Sequence, residues 1–146
     1  AKFVIVGKGP AEQHYKDMVD GKGLSENFVF AGFVAEDELP ALYRAADVFA
    51  FPSFFDTQGL VVLEAMATGT PSVVPKDSAP AEFVADGESG YYFSDAQDFS
   101  EKIMMAIENK GKLSKNAVSA ARKHDIRECA KDMLEFYDAM LKGRGK

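Results

Sequence analysis

What most constrains this chain is a recurring unit: a short apolar run that stops at a turn residue, followed by a stretch with helical spacing. Phe3-Val4-Ile5-Val6 ends at Gly7-Lys8-Gly9-Pro10 and gives way to a helical pattern over 11–20. A continuous apolar run of this kind has the profile of a central parallel strand, covered on both faces. Phe28-Val29-Phe30-Ala31 is the next strand, with Gly32-Phe33-Val34 just past its end. A helix follows over 37–46, with Leu39, Leu42, Tyr43 and Ala46 on one face and Pro40 tolerated in its first turn. Residues 47–52 form a third strand, 60–67 a helix, and 71–74 a fourth strand ended by Pro75. A short helix over 81–84 closes at Asp86-Gly87, and Gly90-Tyr91-Tyr92-Phe93 is the last strand before an acidic turn at Ser94-Asp95. Beyond it the patterns are helical, over 99–107 and 114–123, and then a stripe of Ile126, Cys129, Ala130, Met133, Phe136, Tyr137, Met140 and Leu141 at three-and-four spacing. The Gly143-Arg144-Gly145-Lys146 end is expected to fray. Alternating strands and helices predict an α/β fold, a Rossmann-like parallel sheet with helices on both faces, joined by right-handed crossovers.

A length of 146 residues suits one domain with a single sizeable core. The net charge of −6 argues against an extended nucleic-acid footprint, while a small cationic pocket for one phosphate would be invisible in such a total. The chain has no apolar run of transmembrane length and no signal-peptide pattern, which predicts a cytoplasmic setting. It runs from Ala1 straight into a strand without an initiator methionine, as a piece of something larger would. The lone Cys129 excludes an internal disulfide framework and, inside a helical pattern, is expected to be a small buried hydrophobe.

The segment from Phe54 to Ala67 holds the chemistry. Glu64 is the only charge in the apolar run 60–67, so the helix is expected to be buried and its lone carboxylate to need a partner. Gly59 stands where the chain enters that helix, whose unpaired N–H groups and positive end suit a phosphate. A second reading of the same residues is equally open at this point: Asp56 sits in the turn before the helix, and Glu64 finds an internal hydrogen-bond partner. Gly7 and Gly9 form a short glycine turn, without the third glycine of the dinucleotide fingerprint and too brief for a Walker loop. Phe33 and Val34 fall where a backbone amide and carbonyl could read the edge of a base, or where ordinary core packing could hold them. His14 and His124 fall in helical or capping context and are expected at the surface, and no serine or cysteine has the setting of a nucleophile elbow. Without a Cys/His cluster, Asp56 and Glu64 alone make a thin ligand set, so no metal is expected.

Together these residues resemble the retaining nucleotide-sugar glycosyltransferases of family four, which have a two-Rossmann-domain (GT-B) architecture, and within them the C-terminal, donor-binding domain. The markers are Val6-Gly7-x-Gly9-Pro10, Gly32-Phe33-Val34, Leu42-Tyr43-x-Ala45-Ala46-Asp47-Val48, Pro52-Ser53, the acid pair Asp56 and Glu64, Glu64-Ala65-Met66-Ala67-x-Gly69-x-Pro71, and Asp86-Gly87-Glu88-x-Gly90. The resemblance implies that Glu64 binds the ribose hydroxyls of a donor nucleotide, while Asp56 faces the hydroxyls of the transferred sugar. It implies that the amides of Gly59, Leu60 and Val61 hold the diphosphate, that Gly7 and Gly9 line the donor site, and that Phe33 and Val34 meet the base. The implied donor is a nucleotide-diphosphate sugar, a UDP-sugar on family frequency, with no metal or other cofactor.

Some features depart from the family pattern. The first acid is usually glutamate, and the loop 76–82 lacks the usual paired glycines. The family's first strand, with the arginine and lysine that clamp the diphosphate, has no match here, nor has the N-terminal acceptor-binding domain. The resemblance therefore implies a missing acceptor domain as partner, no turnover by this chain alone, and a last helix whose apolar stripe is left open to self-association. The wording Asp56-Thr57-Gln58-Gly59 also resembles bacterial members that glycosylate membrane lipids, which implies peripheral membrane association of the full-length protein. The competing reading is a non-catalytic nucleotide-sugar-binding or interaction module of the same fold. A phosphoacceptor receiver domain fits less well, because its acidic cluster after the first strand is lacking.

Overall fold

The computed structural model describes residues 1–143; of the end expected to fray, Gly143 closes the last helix and 144–146 lie outside the described residues. The chain divides into two compact units, Ala1–Leu39 and the part from Pro40 onward. The α/β class is as expected, with parallel strands and intervening helices in both units.

The first unit contains β1 (Phe3–Val6), α1 (Glu12–Gly21) and β2 (Phe28–Gly32), with a 3-10 turn at Ser25–Asn27. β1 and β2 pair in parallel, Phe3 opposite Phe28 and Val6 opposite Gly32, with a register irregularity between Ile5 and Val6. The ring of Phe3 stacks on that of Phe28, with centroids 4.8 Å apart. The sequence profile of β1 as a covered central strand is not met within the described residues: all its side chains are exposed, and β2 is its ladder partner. A strand apolar on both faces needs a layer on each, and this unit has α1 as its α-helix.

The second unit holds α2 (Leu39–Ala45), β3 (Phe49–Ala50), α3 (Leu60–Ala67), β4 (Ser72–Pro75), β5 (Gly90–Phe93), α4 (Ala96–Glu108), α5 (Lys110–Arg122) and α6 (Ile126–Gly143). Its parallel sheet runs β3-β4-β5, and β4 is buried throughout. Successive residues of a strand point to opposite faces, and here one face meets α3, the other α4, and α5 contributes to both. Val74 joins Val62 and Met66 of α3 and Ala117 and Ala121 of α5, while Val73 joins Tyr91 and Phe93 of β5, Ala106 of α4 and Leu113 of α5. The core of the unit is therefore two apolar layers with β4 between them.

Several boundaries differ from the sequence reading for identifiable reasons. β3 is shorter than 47–52: Phe49 and Ala50 pair with Ser72 and Val73 of β4, and the ladder ends with the Phe51 N–H donating to the Val73 carbonyl at 2.9 Å. α4 begins before residue 99 because Asp95 caps it, its Oδ1 accepting from the backbone N–H groups of Gln97 and Asp98, both at 2.9 Å. Residues Ala79–Phe83 form a 3-10 turn with Pro80 buried, rather than a helix over 81–84. Cys129 is exposed, not buried, because α6 buries none of its residues: Ile126, Met133, Leu134, Phe136, Tyr137, Met140 and Leu141 are all open to solvent. His14 and His124 are exposed, as expected, although the His124 ring meets Phe83 edge-on at 4.9 Å.

Candidate functional site

Predicted site residues fall in both units. In the first, the Gly7 N–H donates to the Gly32 carbonyl at 2.7 Å, which ties together the two turns leaving the carboxyl ends of β1 and β2. Gly7 adopts φ +110 and Gly32 φ +67. A Cβ on Gly32 would come within 3.1 Å of the Lys8 side chain, so the Lys8 stem lies along the Gly32 backbone. Phe33 is 80% exposed and Val34 half-buried. The unit thus brings Gly7 to Gly32 at the sheet edge, with Phe33 and Val34 next along the chain.

In the second unit the site is built around the start of α3. Gly59 is the residue before the helix, in the left-handed region at φ 68 and ψ 37. It is buried, and a Cβ there would stand 2.5 Å from Pro80 Cβ. Only glycine meets both conditions. The Val62 N–H closes the first turn on the Gly59 carbonyl at 2.8 Å, which leaves the amides of Leu60 and Val61 as the orphan donors every helix start carries. The predicted diphosphate amide of Gly59 is engaged differently: Asp56 Oδ1 accepts from Gly59 N at 2.5 Å and from Gln58 N at 3.0 Å. Asp56 therefore serves the turn that precedes the helix, and its Oδ2 takes no part in these two bonds.

Glu64 departs from the expectation of a buried carboxylate. α3 buries Val62, Ala65 and Met66, whereas Leu60, Glu64 and Ala67 are exposed. Residues spaced by four and then three share one helix face, so the charge lies on the face that turns away from the core. Its expected partner exists: the Tyr43 hydroxyl donates to Glu64 Oε2 at 3.1 Å. Tyr43 comes from α2, its ring set edge-on against Phe49 with centroids 5.4 Å apart. Its backbone carbonyl accepts from the Thr70 hydroxyl at 2.6 Å, and Thr70 is buried. Burial first, and the nearby Glu64 charge second, push the Tyr43 phenol up to about 12. The group is thus a firm proton donor to Glu64.

Tyr43, Thr70 and Pro80 are the residues the sequence reading did not assign to the site. In the sequence Tyr43 stands on one face of a helix and as part of a family marker, with no role at the site. Its bond to Glu64 joins residues 21 apart in the chain, a separation that no local pattern reports. Among the described residues no group of three or more His, Cys, Asp or Glu side chains gathers as a metal site would. No helix of the described residues is long and apolar enough to cross a membrane.

Comparison with known proteins sets this geometry in a family. Residues 1–124 match the family Glycosyl transferases group 1. The alpha-monoglucosyldiacylglycerol synthase of Acholeplasma laidlawii is 31% identical over 140 residues, covering 94% of this chain and 35% of its own length. HepE of Anabaena, solved with UDP and glucose, superposes with a TM-score of 0.80 at 25% identity over 94% of this chain and 40% of that one. The C-terminal domain of a group 1 glycosyl transferase (LpcC) from Francisella tularensis superposes with a TM-score of 0.74 at 28% identity, over 86% of this chain and 70% of that one. The chain spans 24 to 35% of the length of the first curated relatives it matches. A match that runs through both sheet edges and α3, with the parallel α/β architecture of its solved neighbours, means that this chain belongs to the group 1 glycosyltransferases, enzymes of GT-B architecture.

Proposed function

We propose that these 146 residues supply the donor-binding part of a retaining glycosyltransferase that uses a UDP-sugar. The observation that carries this reading is the start of α3, where buried Gly59 in the left-handed conformation leaves the Leu60 and Val61 amides free and puts exposed Glu64 on the same helix face as Leu60. Glu64 follows Leu60 by one turn, about 6 Å along the axis, a spacing that suits the diphosphate and the ribose of one nucleotide. The helix start favours the charge that gathers on the diphosphate as the sugar–phosphate bond breaks, and it does so without a metal. Glu64 accepts from the ribose hydroxyls. Asp56 holds the turn through Oδ1 and offers Oδ2 to a hydroxyl of the transferred hexose. The acceptor attacks from the face the diphosphate leaves, so anomeric configuration is retained.

The UDP and glucose in HepE support the choice of donor. The monoglucosyldiacylglycerol named as the product of the Acholeplasma relative supports a lipid acceptor, and with such an acceptor we place the work in the cytoplasm at the inner membrane face. The acceptor-binding part belongs to the remainder of such an enzyme, so the 146 residues alone are expected to give no transfer. Steady transfer by the purified chain, abolished by Glu64→Gln, would refute that. The test of the donor site is calorimetric titration with UDP, GDP and ADP. UDP should bind most tightly, and Glu64→Gln should weaken it on the order of tenfold or more, as expected for losing charged hydrogen bonds. Equal affinity in the mutant would remove Glu64 from the site.

A further inference from the structure

Glu64 sits on an exposed helix face, where a glutamate side chain samples several rotamers and loses that freedom when it binds a ligand. Tyr43 removes part of this freedom in advance. Its phenol meets Oε2 at 3.1 Å, and a carboxylate has about four lone-pair positions, so one such bond leaves enough acceptors for two vicinal hydroxyls. Tyr43 is itself held at three points: its ring by the edge-on contact with Phe49, and its backbone by the short α2 helix and by the buried Thr70 hydroxyl, which donates to its carbonyl. Thr70 follows α3 by two residues past Thr68, whose hydroxyl bonds the Ala65 carbonyl at 2.7 Å. The tether therefore runs from the C-terminal end of α3, through α2, back to the carboxylate in the middle of α3.

We propose that Tyr43 is a positioning residue of the donor site, fixing the Glu64 carboxylate in the orientation that accepts from the ribose hydroxyls and so setting the preference for ribonucleotide over 2′-deoxynucleotide donors. The inference rests on the ribose role of Glu64 given above. It assigns Tyr43 no contact with the reacting atoms.

The test compares UDP with 2′-deoxy-UDP in calorimetric titrations of the chain, Tyr43→Phe, Glu64→Gln and the double variant. Phenylalanine keeps the ring against Phe49 and removes only the hydroxyl. A purely structural loss would weaken both nucleotides alike, so the readout is the ratio of their affinities. Tyr43→Phe should lower that ratio roughly three- to tenfold, the range of one hydrogen bond, and should change nothing further once Glu64 is already Gln. If Glu64→Gln abolishes the preference while Tyr43→Phe leaves it intact, the Glu64 reading stands and the Tyr43 proposal falls. If the unaltered chain binds no UDP, or binds both nucleotides equally, the ribose role fails and takes the proposal with it.

Discussion

Replacing Gly59 with alanine probes the point on which the site geometry depends, and its cost can be worked from two separate features. The backbone at φ 68 and ψ 37 is a conformation that disfavours an alanine by about 1 to 2 kcal/mol. The added Cβ would also stand 2.5 Å from Pro80 Cβ and 3.0 Å from its Cγ, against an optimum of about 3.5 to 4 Å between carbons. Pro80 is fully buried, so one of the two segments must move by about 1 Å, an overpacking cost of roughly 1 to 3 kcal/mol. The expected loss is about 2 to 5 kcal/mol, a large part of a typical domain's stability. With no tryptophan in the chain, urea unfolding followed by far-UV circular dichroism is the suitable assay. Gly59→Asn separates the contributions, because asparagine tolerates the left-handed region but keeps the clash. Pro80→Gly separates them the other way, and in a double-mutant cycle it should recover the overpacking share alone. A Gly59→Ala variant within about 0.5 kcal/mol of the parent, the range of an inert surface change, would refute the reasoning.

Further predictions concern other parts of the chain. Asp95→Ala removes the side chain that caps α4 through two backbone amides and should cost about 1 kcal/mol in urea unfolding; no change would mean the cap is idle. Tyr43, raised to about 12 in the fold by burial and by Glu64, contributes stability that is fully present below its ordinary value near 10 and is lost as pH rises from about 10 to 12. Tyr92 is raised as well, by burial and then by Asp86, so the loss should be reduced, not abolished, in Tyr43→Phe; parallel stability curves for parent and variant between pH 9 and 12 would reject the assignment. The exposed apolar stripe of α6 should drive self-association, read as a mass that rises with concentration in sedimentation equilibrium. A constant monomer mass would count against it.

What could be read from sequence and what could not divide along physical lines. α3 and β5 were legible to the residue because turn chemistry brackets them, Gly59 before the one and Gly90 opening the other. The start of α4 is hidden because Ser94-Asp95 has the composition of a turn, while the Asp95 carboxylate begins the helix. β1 and Cys129 depart from expectation for a common reason: an apolar run or stripe states what a segment can bury, and within the described residues neither β1 nor α6 finds a cover, the open stripe of α6 being what the family resemblance implies. Glu64 shows the reverse error. One charge among apolar residues suggested burial, but the spacing of Leu60, Glu64 and Ala67 already placed it on one face, and that face is open. The partner Tyr43 and the close approach of Pro80 to Gly59 were illegible because each depends on segments about 20 residues apart folding onto one another.

Whether the start of α3 and Glu64 receive a nucleotide diphosphate can be read residue by residue. The backbone amides of isotopically labelled chain would be followed by two-dimensional NMR during titration with UDP. The Leu60 and Val61 amides should move first and farthest, with Gly59 and the Glu64 neighbourhood following, and Glu64→Gln should weaken the whole response. Saturable shifts confined to other surfaces, with Leu60 and Val61 unmoved, would contradict it.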